Sequence, residues 1–140
     1  MSLSMTVAER EAFLAEPHIG VISLTDPDRG PLTAPIWYDY TPGGELWVLI
    51  SPTSRKGQLV SVGQRISLVA QEEAMPYKYV SVEGPILSQD ASADGELLAM
   101  AQRYLGEAQG QAYAAQATGE NITVRMRPER WLTVDYGKLG

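Results

Sequence analysis

Two turn signals early in the chain do most to limit its fold. Asp26-Pro27-Asp28-Arg29-Gly30 and Thr41-Pro42-Gly43-Gly44 separate three short apolar runs, His18 to Thr25, Pro31 to Tyr40 and Glu45 to Ile50. Linkers this short join antiparallel strands and leave no room for the crossover helix of a βαβ unit. In the second run Leu32, Ala34, Ile36, Tyr38 and Tyr40 alternate onto one face. Two further strands follow at Arg65 to Gln71 and Tyr77 to Leu87; Gly84-Pro85 inside the latter marks a bulge or an edge. A last strand runs from Asn121 to Val134, broken at Pro128.

Helical patterns fill the remainder. Thr6-Val7-Ala8-Glu9 is a capping box opening a helix to about Ala15, and Pro17 ends it. Ser54 to Val62 is a short helix with Gly63 as its stop. Ser92 to Glu107 carries Leu97, Met100, Ala101, Tyr104 and Leu105 at helical spacing, and Gln109 to Ala117 reads as a second helix of this pair. Six strands with short helices predict a mainly β fold: an antiparallel sheet closed into a small barrel with peripheral helices. Strand edges in so small a sheet need cover, and dimerisation is one way to supply it.

At 140 residues, 44% hydrophobic and 20% charged, the chain reads as one domain over residues 5–140 with a real core. Met1 to Ser4 read as an extension ahead of a start at Met5. The net charge of −6 disfavours nucleic acid and anionic membrane surfaces as partners. The absence of Cys removes disulfides, thiol catalysis and thiolate metal sites, and suits a cytoplasmic protein. No apolar run has the length of a membrane span, and the N-terminus lacks the pattern of a signal peptide.

Against this acidic background, Ser51-Pro52-Thr53-Ser54-Arg55-Lys56-Gly57 stands out. Ser54 is placed as an N-cap, which puts Arg55 and Lys56 in a first helical turn, where acidic side chains are favoured. Two cations there, among hydroxyls and free N–H groups, suit an anionic partner such as a phosphate. They equally suit a helix start with two solvated cations, each costing a few tenths of a kcal/mol, about 0.3. On these residues alone the two readings stand level.

Little else in the chain does chemistry unaided. His18 is the only histidine and sits at a strand start, where a structural role is expected. Asp39, Glu45 and Glu83 read as solvated strand faces, and Glu72-Glu73 as an acidic turn. No Walker motif or GxGxxG is present. If the chain is an enzyme, a cofactor carries its reaction, and the run at 51–57 is a place for that cofactor's phosphate.

The succession Ser54-Arg55-Lys56-Gly57, Arg65-Ile66-Ser67-Leu68 and Tyr77-Lys78-Tyr79-Val80-Ser81-Val82-Glu83-Gly84, with a final strand bearing Trp131, resembles the pyridoxamine 5′-phosphate oxidase-like superfamily. It is most similar to the flavin/deazaflavin-dependent oxidoreductases of actinobacterial type. The likeness runs from about Thr6 to Tyr136. It implies a six-stranded antiparallel split β-barrel of FMN-binding type, assembled as a homodimer with the cofactor in a groove at the subunit interface. It implies a phosphate held by Ser51, Thr53, Ser54, Arg55 and Lys56, Arg supplying a fork and Lys a point charge. The ring would rest on Pro35, Ile36 and Trp37, with contacts from the neighbours of Pro35, which has no N–H.

Trp37, Tyr77 and Tyr79 are then candidates to wall the ring or line the interface, against plain barrel packing; for Trp131 core packing weighs as much. Coenzyme F-420 is favoured over FMN, because the chain resembles the deazaflavin-using branch more than the classical pyridoxamine phosphate oxidases, and Arg125, Arg127 and Arg130 match only in part the basic C-terminal segment expected to grip pyridoxal phosphate. Arg29, Arg65 and Lys78 are candidates to extend a positive track toward the F-420 tail, or are ordinary surface charges. The implied reaction is hydride transfer to or from a small unsaturated or carbonyl substrate. Its proton donor is unassigned among Tyr38, Tyr77 and Tyr79. The alternatives are a non-catalytic carrier of flavin, F-420 or haem (with His18 as the one possible haem ligand), an FMN-dependent relative of pyridoxamine phosphate oxidase, and a barrel that binds an unrelated small anion.

Overall fold

The computed structural model describes residues 2–139. Helix α1, Val7–Ala15, opens on the expected capping box: the Glu9 N–H donates to Thr6 Oγ1 and the Thr6 N–H to Glu9 Oε1. Strands β1 (Gly20–Leu24), β2 (Leu32–Ile36), β3 (Tyr38–Tyr40) and β4 (Leu46–Ile50) follow, then α2 (Arg55–Leu59), β5 (Arg65–Glu72) and β6 (Lys78–Ala91). The chain ends with helices α3 (Glu96–Leu105) and α4 (Glu107–Gln116), strands β7 (Ile122–Met126) and β8 (Arg130–Asp135), and a 3-10 turn over Tyr136–Leu139.

Every strand pairing is antiparallel. The order across the sheet is β2-β1-β5-β6-β7-β4-β3, with β8 paired to β6. The two end strands, β2 and β3, are consecutive in the chain, so the sheet curls into a barrel closed by chain connection at Trp37. This is the expected split β-barrel, with eight strands where six were expected. The excess has a simple cause: two expected strands each turn a corner. The run from Pro31 to Tyr40 leaves β1 and joins β4 at Trp37, and the run from Asn121 to Val134 turns at Pro128.

The sheet switch on β6 explains Gly84-Pro85. Residues Lys78 to Glu83 pair with β8, and Ile86 to Ala91 pair with β7 through a register shift between Ile86 and Ser88. The β7–β8 corner crosses at this point. A Cβ on Gly84 would lie 1.7 Å from the Arg127 carbonyl oxygen, so no larger residue fits.

The core fills the barrel with the even-numbered faces the alternation predicted: Ile22, Leu24, Tyr38, Tyr40, Leu46, Val48, Ile50, Ile66, Leu68, Val80, Val82 and Ile86 are all buried. Phe13 and Leu14 of α1 plug one end. Two helices differ from expectation. α2 stops at Leu59 instead of Val62 because Val60 turns extended and drops into the core. α3 begins at Glu96, after Gly95 at φ 86°, instead of at Ser92. The segment ahead of Met5 is seated: Leu3 O accepts from the Asp135 N–H, and Ser4 O from Lys138 Nζ.

Candidate functional site

The site is built where β2 and β4 part. Tyr38 pairs with Val48, and beyond that pair the strands diverge: Ile36 pairs with Gly20 on β1, and Ile50 pairs with Ile122 on β7. A seam therefore opens from the corner at Trp37, with Pro35 and Ile36 on one lip and Leu49 to Thr53 on the other. A recess of about 190 Å³ over this corner is lined by Ile36, Trp37, Leu49, Leu97, Met100, Tyr113 and Asn121. A larger one of about 450 Å³ adjoins it through Leu97 and Asn121 and reaches Pro52, at the start of the Ser-Arg-Lys loop.

That loop is stiffened from within. Ser54 is the N-cap as expected: its Oγ accepts from the Gly57 N–H at 3.1 Å and donates to Ser51 O at 2.7 Å. Gly57 lets the helix lie on the loop, since a Cβ there would meet Ser51 O at 2.2 Å. The exposed hydroxyls of Ser51 and Thr53 share a hydrogen bond of 3.1 Å. With five residues, α2 is too short for its dipole to count for much; any anion here answers to side chains and local N–H groups.

The two cations have different surroundings. Arg55 grips Asp26 of the β1–β2 turn with both arms of its fork, Nη2 to Oδ1 at 2.8 Å and Nε to Oδ2 at 3.3 Å. The Asp26 side chain is 3% exposed, and the Arg55 guanidinium beside it, helped by the Asp28 N–H, holds its carboxyl below the ordinary value. Arg55 thus has a built-in counter-ion, while part of its guanidinium still faces solvent. Among the described residues Lys56 has no ion-pair partner. Asp26 was invisible to sequence reasoning because it reads as a turn residue 29 positions from its partner.

Trp37 lies over α3 and α4. Its ring stacks on Tyr104 at 5.0 Å and 8°, and tilts against Tyr113 at 5.5 Å. Tyr77 and Tyr79 lie elsewhere. Tyr79 is on the outward face of β6, opposite Gln71, and Tyr77 is an exposed member of a patch with Met75, Pro76 and Tyr136. Within one chain Ile36 and Trp37 line the corner recess and Pro52 of the Ser-Arg-Lys loop lines the adjoining one, whereas Pro35 turns outward beside Val21 and Val69, and Tyr77 and Tyr79 lie on other parts of the surface.

Several other candidates are committed to the fold. Tyr38 is fully buried and donates its hydroxyl to Leu14 O at 2.7 Å; burial pushes its pKa upward, so it is a core strut and cannot reach a substrate. Arg65 is held by Glu83 at 2.6 Å and Glu129 at 2.8 Å, and Arg127 also pairs with Glu129. Arg125 pairs with Glu96. Asp39, expected on a solvated face, pairs with Arg103 at 3.3 Å. Trp131 packs against the core under the Arg10 guanidinium. His18 stacks on Phe13 at 4.3 Å with Nε2 against Phe13 O at 3.1 Å, the structural role expected of it.

No family model matches the sequence, and no curated protein does. Solved structures do. The conserved hypothetical protein Rv2991 of Mycobacterium tuberculosis superposes with a TM-score of 0.77 at 22% identity, over 99% of this chain and 89% of the other. An F420 reductase gives 0.70 at 19% identity, covering 87% and 94%. An FAD-binding protein of Mycobacterium smegmatis gives 0.60 at 15%, covering 92% and 94%. The fold shared with these structures is the split β-barrel, seen also in a pyridoxamine 5′-phosphate oxidase-like structure from Lactobacillus delbrueckii. Among the described residues no helix is long and apolar enough to cross a membrane.

Proposed function

We propose that this chain binds a phosphorylated flavin-type cofactor along the β2–β4 seam and serves as an oxidoreductase that uses it. The observation that carries the reading is the seam itself: an opening at Ile36 and Trp37 that adjoins a second recess reaching Pro52, in a loop with a free cation and two exposed hydroxyls. Similar structures include proteins described as an F420 reductase and as an FAD-binding protein, which supports the cofactor class. Coenzyme F-420 is our first choice and FMN the second. Such a ring, when bound, supplies the hydride chemistry.

The chain's own residues would bind and orient. Lys56 would place its ammonium on the phosphate, and Ser51 and Thr53 would donate hydroxyls to it. Arg55, anchored by Asp26, would hold the loop in shape and offer the phosphate only its solvent-facing edge. Ile36, Trp37 and Leu49 would keep water from one side of the ring. We further propose that a second copy covers the outward sheet face, where Pro35, Val21, Val69, Ser81 and Leu132 form one transverse row, and that it brings Tyr79 toward the neighbour's cofactor.

Titration of the purified protein with F-420, FMN and FAD, followed by fluorescence, tests the reading. Lys56→Ala should weaken the preferred cofactor at least about tenfold, as loss of a charge-assisted contact would. An unchanged dissociation constant sinks the assignment of the loop.

A further inference from the structure

The edge of β3 turned away from β4 is covered by side chains of α3. The Tyr38 N–H donates to the Tyr104 hydroxyl at 3.0 Å, and Tyr38 O accepts from Arg103 Nε at 2.9 Å. The Tyr104 hydroxyl has one proton and two carbonyls in reach, His18 O at 2.7 Å and Tyr38 O at 2.9 Å. Arg103 also donates to Ala15 O at 2.8 Å and Glu16 O at 3.0 Å. These two neighbouring residues thereby tie α3 to the exit of α1, the entry of β1 and the first residue of β3. The Tyr104 ring meanwhile lies flat on Trp37, the residue immediately before those backbone contacts.

We infer that Tyr104, with Arg103, is a positioning residue for the ring end of the cofactor seam: it sets the plane of Trp37 and the path of the backbone from Ile36 to Tyr38. This rests on the reading that a flavin-type ring occupies the seam. Three observations favour it over a purely structural tie. The clasp acts on Tyr38, the last paired residue before the corner where β2 and β4 part. It fixes a side chain that lines the recess, through a nearly parallel stack. It also uses a hydroxyl that accepts and donates at once, which requires the neutral phenol; burial holds that phenol's pKa above its ordinary value. Trp37 and Tyr113 then form an aromatic wall whose angle depends on a bond made from α3.

The test separates the ring end from the phosphate end. Wild type, Tyr104→Phe and Lys56→Ala are titrated with FMN and riboflavin, and with F-420 and 8-hydroxy-5-deazariboflavin. Visible circular dichroism of each saturated complex reports the setting of the ring. Tyr104→Phe keeps the stack and loses the hydroxyl. We expect it to weaken the phosphorylated ligand and its phosphate-free ring by the same factor, about tenfold, and to alter the dichroism. Lys56→Ala should weaken only the phosphorylated ligand. Should Tyr104→Phe not fold, Arg103→Lys, which keeps the charge and loses the fork, gives the same comparison. Wild-type affinity and an unaltered dichroism spectrum in the folded variant overturn the inference while leaving the cofactor reading intact. Failure of wild type to bind any of the four ligands overturns both.

Discussion

At the scale of single residues, the decisive facts are close approaches and ion pairs that the sequence does not announce. Gly57 reads as an ordinary small residue after two cations, yet its missing Cβ lets α2 lie on Ser51 and Pro52. Gly57→Ala should cost about 2 kcal/mol of stability, because the clash is with backbone and cannot be relieved by a rotamer change. Urea denaturation measures the loss, and cofactor titration of the folded variant should show weakened binding as Lys56 moves with the loop. The Ser54 cap and the presence of two cations were legible in the pattern. That Arg55 would be matched by Asp26 and Lys56 left open was not, because an ion pair across 29 positions leaves no periodic trace. The same holds for Tyr38: alternation placed it on the buried face with Ile36, but only the structure shows its hydroxyl spent on Leu14 O.

At the scale of elements, turn chemistry and period-two alternation placed nearly every strand, because one face of each is buried and register cannot slip without exposing it. Corners were harder. Pro128 announced the break between β7 and β8, but Trp37 sits inside a stretch of strand-like composition, and what bends the chain there is its choice between two neighbours, which is tertiary. The last element was missed for the same reason. The turn at Tyr136–Leu139 returns to α1, where Lys138 Nζ bonds Glu9 Oε1 at 2.7 Å. Lys138 and the Thr6 N–H lower the Glu9 carboxyl from 4.5 to about 2. A depressed carboxylate stabilises the fold fully above its unfolded value, and that contribution fades as pH falls through the folded one. Lys138→Ala should therefore flatten the dependence of stability on pH between about 4.5 and 2, and leave its shape near neutrality unchanged. Chemical denaturation across that window checks it.

At the scale of the whole molecule, the barrel shows one side of its sheet with little helical cover. Leu132 is 61% exposed there, in a row with Pro35, Val21, Val69 and Ser81. Apolar residues gathered on one sheet face favour a partner surface over open water. If that partner is a second copy, Leu132→Glu should turn a dimeric wild type into a monomer at micromolar concentration, as read by sedimentation equilibrium. A monomeric wild type would defeat the proposal. The remaining consequence lies in how the barrel closes. Its two end strands, β2 and β3, meet through Trp37, so beyond the Tyr38–Val48 pair no ladder joins β2 to β4. Wedging a planar guest between two zipped strands would forfeit roughly 1 kcal/mol for each rung undone. A planar guest entering this seam would meet a slot that is already unzipped, and would leave every rung of the ladder in place.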